Sequence, residues 1–397
     1  MASVLSLERY VPPYRYDQAV VTRWVKDWLL APDSVGHPGH APDSARQPGL
    51  EAKVAVPVPN GRAASAGRGG RAKDRSRAPT RLLSVYASAG VKTRASVVPI
   101  EDVFHPKDFE TQNQRYREAA CRAGAEVAGR ALEASGLSPS EIDLVVSVSC
   151  TGFMIPAVDA HVANALSLGP RLARLPITES GCAGGVVGLA RAADYLAARP
   201  DRAALLVALE FSSLTFQRWD RSPTNVVSTA IFGDGGAAAV LVGADHPRAG
   251  AGLVGVRDAE SVFFPRTTHL MGFELRNEGL QILLDKGLAP FVRRTIVPAV
   301  DGFLGPRGLR RSDVRHFILH PGGRRVIEAM RDRLGLGPAD LAPTEAVLAE
   351  HGNMSSVTVL YVLDEILRCH RPEKGALGLL GAFGPGFAAE LALLEFG

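Results

Sequence analysis

Two pairs of segments recur in the same order along this chain, and they constrain its fold more than any other feature. Gly136-Leu-Ser-Pro-Ser-Glu-Ile142 resembles Gly308-Leu-Arg-Arg-Ser-Asp-Val314, and each leads into an apolar run. Gly233-Asp-Gly-Gly-Ala-Ala-Ala-Val-Leu-Val242 resembles Gly384-Pro-Gly-Phe-Ala-Ala-Glu-Leu-Ala-Leu393. Chance produces one such match readily. Both in sequence point to a duplicated βα architecture, with one copy in each half.

Hydrophobic periodicity around these landmarks alternates between helix and strand. Helices are predicted over 113–135, 158–166, 186–198, 288–303, 324–334 and 357–368, and strands over 142–149, 205–211, 237–242, 316–319, 376–381 and 388–395. That alternation argues for an α/β layered fold. It divides the chain into an N-terminal half (81–245) and a C-terminal half (246–397). Ahead of them come a short stub with an amphipathic helix (1–30, helix over 16–30) and an insert (31–80). The insert repeats Ala-Pro-Asp-Ser and is rich in Pro, Gly and Ser, so it buries too little apolar surface to order itself and is predicted to be disordered.

The formal charge of +4 is concentrated in that insert. Residues 61–81 hold seven basic side chains against one acid, giving this stretch +6 and the remainder about −2. The basic character therefore says little about the folded part. Every apolar run is cut short of the roughly 18 residues that a membrane span needs. The N-terminus lacks the pattern of a signal peptide. The four scattered cysteines show neither a disulfide framework nor metal-ligand spacing. A cytoplasmic protein with no membrane partner is the expectation.

Three glycine-flanked polar sites carry the chemistry. Cys182 lies in Gly181-Cys182-Ala183-Gly184-Gly185 at the start of a small-residue helix, where unsatisfied N–H groups and the helix dipole favour a thiolate. His320 follows an apolar strand in His320-Pro-Gly-Gly323, and Asn353 precedes a helix in Gly352-Asn353-Met354-Ser355-Ser356. Strand ends and helix starts are where open α/β sheets hold their ligands. Taken singly, Cys182 reads as a small packed hydrophobe, His320 as a core histidine and Asn353 as an N-cap. Together they suggest an imidazolium-stabilised thiolate that takes an acyl group from a thioester. Side-chain N–H donors would then bind the enolate left when a malonyl group loses CO2. Decarboxylation supplies the carbanion, so no metal or organic cofactor is expected.

These motifs, with Phe232 in Phe-Gly-Asp-Gly and the terminal Gly381-Ala-Phe-Gly-Pro-Gly386, resemble the type III polyketide synthases, the chalcone synthase-like family. The resemblance covers roughly 81–397. It implies a thiolase-like αβαβα layered sandwich, a homodimer, and malonyl-CoA and a starter acyl-CoA as substrates. Cys182, His320 and Asn353 would be the catalytic residues and Phe232 a gatekeeper between the CoA tunnel and the cavity. By position in the family's motifs, Cys150, Thr151, Ser212, Leu214, Thr215, Ser228, Phe273, Ile282 and Ser355 would shape the pocket. Arg81 matches one place of the family's basic CoA-binding cluster, whereas Ser84 and Ser88 stand at others. Gly90-Val-Lys-Thr-Arg94, Ser149-Cys150-Thr151-Gly152 and Glu210-Phe-Ser-Ser-Leu214 resemble the bacterial branch, notably the tetrahydroxynaphthalene synthases. Thr215 departs from that subgroup's cysteine.

The implied reaction is iterative condensation and cyclisation to an aromatic or pyrone product, started from malonyl-CoA or a fatty acyl-CoA. A ketoacyl-carrier-protein synthase, which stops after one condensation, is the enzymatic alternative. A different class of reading takes Arg62, Arg68, Arg71, Lys73, Arg75, Arg77 and Arg81 as a nucleic-acid or acidic-partner module. No aromatic residue interleaves with them, so a solvated linker is preferred.

Overall fold

The computed structural model of the chain describes residues 1–31 and 77–397, with side chains from Leu82 onward in the second stretch. The insert predicted over 31–80 thus lies outside the described residues, apart from Ala31 and the backbone that opens helix Arg77–Ser88. In chain order the strands are β1 (Ala2–Tyr10), β2 (Tyr14–Asp17), β3 (Thr93–Ser96), β4 (Ile142–Val148), β5 (Ala173–Ile177), β6 (Ala203–Phe211) and β7 (Asp234–Val242). They continue as β8 (Val254–Phe263), β9 (Met271–Arg276), β10 (Gly279–Leu284), β11 (Val314–Leu319), β12 (Leu377–Gly384) and β13 (Ala388–Phe396). Nine of them form one sheet in the order β11-β12-β13-β8-β1-β7-β6-β4-β5, while β2 pairs with β3 and β9 with β10.

The two halves repeat each other in four strands, and only edge strand β5 has no counterpart. β6 lies between parallel β4 and antiparallel β7, as β12 lies between parallel β11 and antiparallel β13. β1 pairs antiparallel with β7, and β8 with β13. The recurrent segments occupy matching places. Gly136 and Gly308 both take left-handed backbone, at φ 68° and 71°, a conformation open to glycine without steric penalty. Each opens a 3-10 turn ahead of its parallel strand. There the Ser138 N–H donates to Glu141 and the Arg310 N–H to Asp313, both at 2.7 Å. The N-terminal segment is more than a stub: β1 joins the halves, pairing with β8 from Ala2↔Val256 to Val4↔Val254.

Five layers result. Strand side chains alternate between the two faces. On β6, Ala204, Leu206 and Ala208 face a core shared with helices Gly184–Ala198 and Thr358–Glu365, while Leu205, Val207 and Leu209 face helix Phe109–Ser135. The two inner helices lie between the half-sheets, so Val186 and Leu189 share one core with Val146 of β4 and Ala392 of β13. Helices Leu288–Leu304 and Arg324–Leu334 cover the far side through Ile296, Val300 and Ile327. This is the expected αβαβα sandwich. The predicted helix over 357–368 divides into a 3-10 turn (Ser355–Val357), an α-helix (Thr358–Glu365) and a π turn (Ile366–His370). Among the described residues no helix is long and apolar enough to cross a membrane.

Candidate active site

Cys182 sits in a 3-10 turn, Gly181–Ala183, that feeds helix Gly184–Ala198, and it is 6% exposed. The side chains of Ser355 and Asn353 lie beside its sulfur and favour its charged form. Asn353 is buried, and its Oδ1 accepts the Ser355 N–H at 2.8 Å, which leaves its NH2 as the group available to the sulfur. A crossing of two chain segments fixes that amide. The Asn353 N–H donates to Ile231 O at 2.7 Å, and the Gly233 N–H returns to Asn353 O at 3.0 Å. The segments run so close that a Cβ on Gly233 would collide with the His351 carbonyl oxygen. Phe232 is thereby bridged to Asn353 through the backbone.

His320 follows β11, with its N–H on Gly381 O at 2.9 Å. Both ring nitrogens are buried and have no hydrogen-bond partner among the described residues. Burial pushes the imidazole down to about 3. Burial also pushes the Cys182 thiol up to about 12, helped by the nearby Glu210 charge and opposed by the Ser355 and Asn353 side chains. The thiolate expected from the helix start is therefore not the resting form, because desolvation outweighs the dipole. At neutral pH each group by itself is uncharged, and an ion pair arises only by moving the thiol proton to the imidazole.

A cavity of about 420 Å³ opens onto the sulfur. Of the residues predicted to shape it, Cys150, Thr151, Ser212, Thr215, Ser228, Phe273, Ile282 and Ser355 line it, as do Cys182 and Phe232. Leu214 does not. The tight turn Ser212–Thr215 turns Ser212 and Thr215 to the cavity and Leu214 away, into the core on the outer face of the sheet. His320 and Asn353 are not on the cavity wall either. Cys182, Asn353, Ser355, Cys150 and Phe232 come together, whereas no hydrogen bond ties His320 to that group. The Arg81 side chain lies outside the described residues, and Ser84 and Ser88 are exposed on helix Arg77–Ser88.

Residues 107–246 match chalcone and stilbene synthases, N-terminal domain, and residues 256–396 match the C-terminal domain of the same group. The chain belongs to the chalcone and stilbene synthase family. A 1,3,6,8-tetrahydroxynaphthalene synthase of Streptomyces peucetius subsp. caesius is 38% identical over 315 residues, 79% of this chain and 83% of that protein. A phloroglucinol synthase of Pseudomonas fluorescens is 32% identical over 314 residues, 79% of this chain and 88% of that protein. The crystal structure of a 1,3,6,8-tetrahydroxynaphthalene synthase from Streptomyces coelicolor A3(2), a bacterial type III polyketide synthase, superimposes with a TM-score of 0.82. It is 28% identical and each chain covers 99% of the other. The protein is a type III polyketide synthase, an acyl-transferring, carbon–carbon bond-forming enzyme.

Sequence reasoning passes over two buried groups at the synthase's centre. Glu210 is fully buried on the inner face of β6. It accepts the Cys150 N–H at 3.0 Å, the Cys150 thiol at 3.4 Å and the Ser356 hydroxyl at 2.5 Å. Burial nevertheless pushes it up to about 7. Its signal was there to read: one charge in the otherwise apolar run Ala203–Phe211. Arg94 is the second. Its guanidinium donates to the carbonyls of Thr229, Phe232 and Ala230 at 2.6, 2.7 and 2.8 Å, at the end of helix Pro223–Ile231. Nothing local marks it, since its partners lie far along the chain.

Proposed function

We propose that this synthase takes an acyl group from a CoA thioester onto Cys182. It then extends the group by repeated decarboxylative condensation with malonyl-CoA and releases a cyclised aromatic or pyrone product. The Cys182 proton passes to His320 as the sulfur attacks the thioester carbonyl, and the departing CoA thiolate takes that proton. Malonyl-CoA then loses CO2, and its enolate oxygen accepts hydrogen bonds from His320 and the Asn353 amide. The enolate carbon attacks the Cys182-bound acyl carbon, the Cys182 thiolate leaves, and the chain, now two carbons longer, is reloaded. Decarboxylation supplies the carbanion, so this proposal needs no metal or organic cofactor. Phe232 screens the sulfur from water, which would hydrolyse the held chain.

One observation carries the reading: a buried cysteine at the wall of a cavity, with a carboxamide fixed beside it by the crossing of two chain segments. The orphaned imidazole supports it, because buried polar atoms without partners are rare in proteins and a ligand oxygen would satisfy this one. Intact-protein mass spectrometry after adding an acyl-CoA tests it. Cys182→Ala is expected to form no adduct and Cys150→Ala to retain one; an adduct on the Cys182→Ala protein refutes the assignment. Several condensations from free malonyl-CoA distinguish this enzyme from a single-condensation ketoacyl-carrier-protein synthase.

Our proposal includes a homodimer in the cytoplasm. Ile155 is fully exposed and Phe153 is 45% exposed on the loop that runs from the cavity wall at Cys150–Phe153. Edge strand β5 is paired on one side only. A second copy would cover both features, and sedimentation at several concentrations would report it. All four cysteines are free thiols, as a reducing compartment maintains them.

A further inference from the structure

We infer that the starter held on Cys182 is an aliphatic acyl chain whose tail occupies the end of the cavity between helix Gln18–Leu30, the segment Ile100–Phe104 and the β9·β10 hairpin. This rests on the reading that Cys182 is the acylated residue.

The cavity is less polar in what it presents than its residue names suggest. A poly-keto chain carries carbonyl acceptors along its length and needs donors along the wall. A hydroxyl has one proton to give, and for four of the hydroxyls on this wall that proton is already committed. Ser213 donates to Asp234 at 2.5 Å, Thr215 to Ser212 O at 2.9 Å, Ser228 to Thr224 O at 2.9 Å and Thr229 to Val226 O at 2.8 Å. The Asn225 NH2 is held by Gln217 O at 2.7 Å and Asp220 O at 2.6 Å. All five line the cavity with their donors turned into their own backbone or a neighbouring carboxylate.

Away from the sulfur much of the wall is hydrocarbon, with the Tyr16 hydroxyl, which accepts the Ile100 N–H at 2.9 Å, set among it. Val21, Val103, Phe104, Phe216, Met271 and Leu284 come from four separate parts of the chain and meet around the same space. Such a surface rewards methylene groups and offers a carbonyl oxygen little in place of water. Beside Cys182 the character changes, with Ser355 and Cys150 at the wall. An alkyl tail at one end and a short keto segment at the other match this polarity. A starter as small and charged as malonate leaves the apolar end unfilled.

The test is a chain-length series. Wild-type protein is mixed with acetyl-, butanoyl-, octanoyl- or dodecanoyl-CoA, and acylation of Cys182 is timed by intact mass. Product formation is then followed after adding malonyl-CoA. The acylation kcat/KM is expected to rise by about fourfold per methylene until the chain fills the cavity. Products should carry the alkyl tail. A flat or falling series, with malonyl-CoA serving as its own starter, overturns this inference and leaves the condensing reaction standing. No adduct from any thioester, malonyl-CoA included, overturns both. Val103→Trp, which narrows the apolar end, is expected to lower the ratio of dodecanoyl to butanoyl rates at least tenfold. That ratio is taken within one protein, so it does not depend on how much of the variant folds. An unchanged ratio overturns the placement of the tail.

Discussion

The substitution Glu210→Gln removes the buried charge at the centre of this enzyme while keeping its shape. The carboxyl has an ordinary value of 4.5 and is pushed up to about 7 by burial. A group whose folded value is raised binds its proton more tightly in the native state. Its contribution is therefore fully present below pH 4.5 and is lost as pH rises through 7. The displacement is worth about 3 kcal/mol between pH 4 and pH 8.5. A neutral carboxamide in its place would not feel that change. It would instead carry a constant penalty of about 1–3 kcal/mol, because it offers fewer acceptor sites to Cys150 and Ser356.

Denaturant unfolding of both proteins at fixed concentration, from pH 5 to pH 8.5, measures the difference. At the acid end the variant is expected to be the less stable. It should gain on the wild type by about 2–3 kcal/mol toward pH 8.5. His320 and His351, both pushed down by burial, act in the opposite sense: their contribution is present above pH 6.5 and lost as pH falls. They are common to both proteins and cancel in the difference, as does Asp234. A stability difference that stays level across this range refutes a carboxyl that titrates near neutrality.

His320→Leu is expected to abolish condensation yet raise stability by about 1 kcal/mol, since it removes two buried nitrogens that have no partners. A lower melting temperature would show that the imidazole is satisfied in the resting enzyme. Gly233→Ala drives a Cβ into the His351 carbonyl oxygen. It is expected to destabilise by about 1–3 kcal/mol or more and to lower kcat by shifting Asn353. Thermal unfolding and steady-state rates report the two effects, and an unaffected variant would disprove the tight crossing.

The sequence carried what is local. Strand and helix periods marked most of the sandwich, and the repeated glycine turns located the duplication because Gly136 and Gly308 need the same left-handed backbone. Cys182, Phe232 and Asn353 stood out through their glycine contexts, which exist because chain segments cross tightly there. What depended on distant partners did not show. β1 reads as a mixed stub until β7 and β8 supply its two neighbours. Leu214 belongs to the core because a 3-10 turn, invisible in composition, reverses its direction. The helix dipole does not make Cys182 a resting thiolate for the same reason: the burial that overrides it comes from layers far along the chain.

The backbone of Phe232 is held by its N–H on Ser228 O at 2.9 Å, by Arg94 on its carbonyl at 2.7 Å, and by the bridge to Asn353. Anchored so, the residue leaves only its ring free to swing. In its proposed role as a gate, that ring would move at the pace of side-chain rotation, far faster than any loop could lift and reclose. Such a gate would leave the neighbouring carboxamide where it stood, so that admission of a molecule and alignment for chemistry would not compete for the same motion.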